Sequence, residues 1–124
     1  MDEFLGAEVI VVGAPLYNFT VPSQLKTWVD HLSIAGKTFA YTAEGPMELV
    51  KGKRMVIASA WDGVYAPGSS YAAFEHQVSW LRAIFGFLGV TDVTVVQAEG
   101  VRMGPEKVEA AMAVAIEQVA ALAA

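Results

Sequence analysis

Two short stretches gather the side chains of this sequence best suited to chemistry. The first is Ala14-Pro15-Leu16-Tyr17-Asn18-Phe19-Thr20, in which two aromatics flank an asparagine directly before a helical pattern. Aromatic faces, a carboxamide and the free N–H groups of a helix start together suit a planar ring rich in heteroatoms. The second is Ser59-Ala60-Trp61-Asp62-Gly63-Val64-Tyr65. Gly63 lets main chain come close to a ligand, and Trp61 and Tyr65 offer walls on which a ring can stack. Each stretch also has a plain structural reading. Tyr17 and Phe19 would then be ordinary turn or core aromatics, Asn18 a turn support, Gly63 and Gly68 turn residues, and Trp61 a cover for the sheet end.

Other chemistries find less support. The chain has no cysteine, which rules out disulfides, thiolate metal sites and thiol catalysis within it. His31 and His76 lack companions at metal-ligand spacing. Asp30, Asp62 and Asp92 are scattered and do not form the carboxylate pair of a glycosidase. Ser59 lacks the flanking glycines of a nucleophile elbow, and no glycine-rich phosphate loop of either common type occurs.

The elements that must position these stretches follow from periodicity. Val9-Ile10-Val11-Val12-Gly13 is a continuous β-branched run, the pattern of a parallel strand covered on both faces. A helix follows, with Thr20 as expected N-cap, Pro22 in the first turn, Leu25, Trp28, Val29 and Leu32 on one face, and a stop at Gly36. Lys37 to Gly52 reads as a long connection with a turn at Gly45-Pro46. Met55-Val56-Ile57-Ala58 is a second strand. A helix is expected over Tyr71 to Leu88, with one apolar stripe at Phe74, Val78, Leu81, Phe85 and Leu88 and another at Trp80, Ile84 and Phe87. Val93-Thr94-Val95-Val96 is a third strand. Gly104-Pro105-Glu106 opens a last helix whose expected buried face is Val108, Met112, Ala115 and Val119. Strand and helix alternate three times, which predicts an α/β fold with a parallel sheet and helices on both faces. The apolar edge of the first strand calls for a cover, from further strands or another subunit.

Composition sets the outer bounds. A length of 124 residues fits one domain over 1–124, and 55% hydrophobic with 17% charged residues specifies a folded core. A formal net charge of -5 leaves no broad basic surface for nucleic acid or acidic lipid. The acidic start lacks the features of a signal peptide, and Glu109 and Glu117 interrupt the alanine-rich tail. The reading is a cytoplasmic protein without nucleic-acid or membrane partners.

A family resemblance extends this reading. Ala14-Pro15-Leu16-Tyr17-Asn18-Phe19, continuing through Pro22-Ser23-Gln24-Leu25-Lys26 to Trp28-Val29-Asp30, resembles the central motif of FMN-dependent NADH-azoreductases, among the flavodoxin-like NAD(P)H:quinone oxidoreductases. Gly36-Lys37-Thr38-Phe39, Tyr41-Thr42, Gly45-Pro46, Phe85-Gly86-Phe87-Leu88-Gly89-Val90, Ala98-Glu99-Gly100 and Gly104-Pro105-Glu106 follow in the same order. The resemblance implies a flavodoxin-like fold with an N-terminal strand-helix-strand part absent here. It implies FMN as cofactor, NAD(P)H as electron donor and a quinone or azo compound as acceptor, in a homodimer with the pocket at the subunit interface. It assigns the cofactor to Pro15, Leu16, Tyr17, Asn18 and Phe19 in the first loop and to Ala60, Trp61, Asp62, Gly63 and Tyr65 in the second, with no side chain acting as a catalytic group and no metal. The second loop departs from the family's small-polar, Arg, Gly-Gly pattern, of which only Gly63 remains. The family's phosphate-binding loop precedes the matching region, so weak or no FMN capture by the chain on its own is expected. The alternative is a non-catalytic flavodoxin-like module acting through oligomerisation; a hydrolase fragment ranks below both for want of an elbow.

Overall fold

A computed structural model describes residues 1–123. Its element order is α1 (Asp2–Gly6), β1 (Val9–Pro15), α2 (Ser23–Leu32), β2 (Phe39–Thr42), β3 (Gly45–Glu48), β4 (Arg54–Trp61), α3 (Val78–Leu88), β5 (Asp92–Glu99) and α4 (Pro105–Ala123), with a 3-10 turn at Ala72–Phe74. Strands β1, β4 and β5 form a parallel three-stranded sheet in the order β1-β4-β5. All three therefore end on the same side, and the loops after them meet there.

Register sorts side chains onto two faces. Ile10, Val12 and Ala14 align with Met55, Ile57 and Ser59 on one face. Against them pack Val29 and Leu32 of α2 and Leu81, Phe85 and Leu88 of α3, all inside a single core cluster apart from Ala14 and Ser59. The opposite face carries Val9, Val11 and Gly13, in line with Arg54, Val56 and Ala58. Here α4 runs against β5, where Val96 and Ala98 are buried and Gln118 accepts the Gln97 N–H at 3.0 Å. Val9 and Val11 stay 55% and 68% exposed, so β1 is covered on one face and not on two. The β-branched run reflects strand propensity, which specifies pairing but not how many faces are covered.

Local contacts explain where elements differ from their sequence patterns. Helix α2 begins at Ser23 with Pro22 as its cap, because Thr20 closes the preceding turn. It stops before Gly36: the buried Thr38 hydroxyl donates to the Leu32 carbonyl at 2.6 Å and accepts the Ile34 N–H at 3.1 Å. The 37–52 connection contains an antiparallel hairpin of β2 and β3. Its turn is at Ala43-Glu44, where the Thr42 hydroxyl bonds Gly45 O and Glu44 N, and Gly45-Pro46 opens a strand instead. The expected long helix from Tyr71 is broken. The Glu75 carboxylate accepts the N–H groups of Gln77 at 2.7 Å and Val78 at 2.5 Å, so α3 starts at Val78. Satisfying free first-turn donors with an anion is what fixes a helix start. The helix ends on Gly89 at φ 112°, with Val90 N–H reaching the Phe85 carbonyl at 2.8 Å. On α4 the half-buried positions are Val108, Ala111, Ala115 and Leu122, while Met112 and Val119 of the expected face are exposed. No described helix is long and apolar enough to cross a membrane.

Candidate functional site

The loop after β1 is a tight reversal. Tyr17 and Thr20 exchange N–H···O bonds at 2.9 Å in both directions, enclosing Asn18 at φ 47° and Phe19 at φ 71°. Two successive left-handed residues are the backbone of a primed hairpin turn, where glycine or asparagine is the usual choice. Asn18 fits that requirement. Phe19 does not, and a bulky residue there costs roughly 1–3 kcal/mol. Contacts from elsewhere hold it: the His76 N–H donates to the Phe19 carbonyl at 2.9 Å, and the Thr20 hydroxyl donates to the His76 carbonyl at 3.2 Å.

Phe19 belongs to a closed circuit of four rings. Its centroid lies 5.1 Å from Phe74 and 6.2 Å from Tyr65; Tyr65 lies 6.3 Å from Tyr71, and Tyr71 6.0 Å from Phe74. Beside this circuit is a cavity of about 590 Å³ lined by Phe19, Gly63, Tyr65, Ser69, Tyr71 and Met103, among others. That volume falls within the range of small-molecule sites. The Ser69 hydroxyl is buried there without a hydrogen-bond partner among the described residues. On the other side of the turn, Tyr17 and Asn18 line a second cavity of about 440 Å³ with Pro22, Lys26 and Trp80.

The loop after β4 is held from behind. The carbonyls of Trp61, Asp62 and Gly63 accept the N–H groups of Val101, Arg102 and Gly100 at 3.1, 3.4 and 2.9 Å. Asp62 also faces Arg102 in an exposed ion pair at 3.8 Å. The N–H groups of Gly63, Val64 and Tyr65 have no acceptor among the described residues. A strap that consumes carbonyls while leaving N–H groups free makes this loop a set of donors, suited to the carbonyl oxygens or ring nitrogens of a ligand.

The structure thus brings the two predicted stretches together but divides their side chains. The Leu16 N–H donates to the Ala60 carbonyl at 2.9 Å, which joins the loops at their base. Leu16 is buried, Pro15 and Ala60 are exposed, and Asp62 points outward. Trp61 is turned into the protein, 3% exposed, with its indole N–H on Gln77, and lies behind Tyr65 at 5.7 Å. Sequence reasoning missed Ser69, Tyr71 and Met103 as cavity residues, and Phe74 as a member of the ring circuit. Placing Tyr71 and Phe74 on a helix hid them; the Gly68-Ser69-Ser70 run just before was the signal that a loop continued.

Comparison with known proteins settles the family. A family model described as flavodoxin-like fold matches residues 1–123. The chain belongs to this flavodoxin-like family. It is 54% identical over 123 residues to an FMN-dependent NADH:quinone oxidoreductase of Azospirillum brasilense, covering 99% of this chain and 59% of that relative. Among solved flavodoxin-like structures it resembles an azoreductase from Bacillus anthracis str. Sterne, with TM-score 0.90 and 38% identity over 98% of this chain and 58% of that one. An FMN-dependent NADH-azoreductase from Bacillus anthracis str. Ames Ancestor, in complex with FMN, matches with TM-score 0.83 and 34% identity over 95% of this chain and 57% of that one. The chain spans about three fifths of the length of the curated relatives it matches. The expected flavodoxin-like parallel sheet is the fold found.

Proposed function

We propose that this chain supplies the ring-holding loops of an FMN-dependent oxidoreductase that passes electrons from NAD(P)H to quinones or azo compounds, working in the cytoplasm as a homodimer. The observation that carries the reading is the pairing of free donors with aromatic walls. Gly63, Val64 and Tyr65 offer unpartnered N–H groups beside a cavity walled by Phe19, Tyr65 and Tyr71. Names and structures of relatives more than 30% identical support the same cofactor. When bound, FMN supplies hydride and electron transfer, and the protein's part is binding, orientation and exclusion of water.

The residues divide that work. Phe19 and Tyr65 give apolar contact to a ring, the Gly63–Tyr65 N–H groups orient its polar edge, and Asn18 contributes a carboxamide that bonds no described residue. Pro15 and Leu16 fix the first loop, while Ala60 and Trp61 set the base of the second. Asp62 places a carboxylate at its outer end, where negative charge disfavours an electron-rich ring and Arg102 offsets it. Exposed Phe87, with partly buried Trp80 and Ile84 on the same helix, is consistent with a subunit contact.

No glycine-rich phosphate loop occurs among the described residues, so these loops should recognise the ring and not the phosphate. Amide chemical-shift mapping with millimolar FMN and with riboflavin tests this. Both ligands are expected to shift Leu16–Phe19 and Asp62–Tyr65, with affinities within about threefold of each other, under 1 kcal/mol. A charged phosphate contact is worth about 1.5–3 kcal/mol and would favour FMN well beyond that. Shifts confined to other regions, or none at millimolar ligand, would overturn the reading.

A further inference from the structure

Gln77 occupies an unusual position for a glutamine. It is 0% exposed, at the cap of α3, and its carboxamide reaches under the ends of two strands. Its Oε1 accepts the Trp61 indole N–H at 2.8 Å and the Ser59 hydroxyl, while its Nε2 donates to the Ala14 carbonyl at 3.1 Å. The orientation is forced, because an indole N–H can only donate and a main-chain carbonyl can only accept. Ala14 is the step before the Pro15–Phe19 loop, and Ser59 and Trp61 bracket Ala60 before the Asp62–Tyr65 loop. The backbone of Gln77 is itself pinned by Glu75 at 2.7 Å, and its neighbour His76 holds Phe19 at 2.9 Å. One side chain therefore ties the roots of both loops to one helix start.

We propose that Gln77 is a positioning residue that couples the two loops, so that the free N–H groups of Gly63–Tyr65 and the turn at Tyr17–Phe19 keep one mutual geometry. The coupling stands on the hydrogen bonds alone; its consequence for flavin rests on the functional reading above. An apolar residue of the same size would fill the space but leave the Ala14 carbonyl, the Ser59 hydroxyl and the Trp61 N–H unpaired away from water. Those groups would seek solvent, and each loop would move separately.

Native-state amide exchange on Gln77→Leu tests the coupling, with Val90→Ala as a control of similar global stability at the far end of α3. Exchange of the Leu16, Tyr17 and Thr20 amides, and of the Gly100 and Val101 amides that donate to the Gly63 and Trp61 carbonyls of the second loop, should accelerate together, by more than about tenfold in Gln77→Leu and less than about threefold in the control. If Gln77→Leu does not fold, Ser59→Ala replaces it. Although Ser59 lies on β4, its loss should also loosen the loop after β1. Acceleration in one loop only, or equally in the control, overturns the proposal. In the same variants the FMN-induced shifts should require more than about tenfold more ligand for Gln77→Leu than for Val90→Ala. Equal ligand demand in the two variants refutes the positioning role. Absence of FMN shifts in the unmutated protein refutes the flavin reading instead, and the exchange result then decides the coupling by itself.

Discussion

On one face of the parallel sheet, Met55, Ile57, Leu81, Phe85 and Leu88 are wholly out of water, whereas on the other Val9, Val11 and Ile116 of α4 stand more than half exposed. Residue types on the two sides are alike; Val11 and Val12 are neighbours on one strand. Their energetic weight differs because burial, and not hydrophobicity, determines how much apolar area leaves water. The two candidate loops are rooted in the closed side. Ala14, Ser59 and Trp61, which hold those loops, all project toward α3 and Gln77. Stability and positioning therefore draw on the same layer, while the outer face is covered beside β5 by α4 and left open over β1.

The sharpest way to break this contrast is to remove a large side chain from each layer. Phe85 contacts the Phe4 and Trp28 rings at 6.1 Å centroid distance and is fully buried. Phe85→Ala should lower stability by about 3–5 kcal/mol, read from urea denaturation midpoints. Ile116→Ala on α4 should change it by less than about 0.5 kcal/mol. Comparable losses would mean that the two layers bear equal weight.

A smaller effect is expected where α3 meets the hairpin. A Cβ on Gly89 would lie 2.1 Å from the Val50 carbonyl oxygen, a main-chain atom that cannot swing aside, and φ is 112°. Gly89→Ala should cost about 2–3 kcal/mol from backbone strain and the forced displacement. Thermal unfolding would show it as a drop in Tm. An unchanged Tm would show that the closed layer can shift as a unit, contrary to the packing described.

How much of this was legible in the sequence depends on whether the determinant is periodic. Runs such as Met55–Ala58 and stripes such as Leu81, Phe85 and Leu88 repeat at the period of their element, and the alternating parallel fold follows from them. The Tyr71–Leu88 helix failed because Phe74 continues the spacing of Val78 and Leu81 by coincidence, while the true start is set by one carboxylate, Glu75. The hairpin was hidden because Gly45-Pro46 looks like a turn in isolation. For the site, the two loops were visible from their aromatics and their place after strands. Trp61 was open between a ring wall and a cover for the sheet end, and its bond to the Gln77 carboxamide decides for the cover. A buried glutamine leaves no pattern in a single sequence, and neither does the closing of four rings from separate segments.

The finest test sits on adjacent residues of β1, where chain position and residue type are held nearly constant. Val12 faces the core at 5% exposure and Val11 faces outward at 68%. Val12→Thr buries a hydroxyl among Ile10, Ile57 and their neighbours and should cost about 1–3 kcal/mol. Val11→Thr exchanges a methyl for a hydroxyl in water and should stay within about 0.5 kcal/mol. Equilibrium unfolding over a range of protein concentrations resolves the pair. Should Val11→Thr lose more than about 1 kcal/mol, and lose it increasingly at higher concentration, the open face is covered by another copy of the chain in solution. A loss independent of concentration would instead show that the chain covers its own outer face, and the contrast between the two layers would have to be withdrawn.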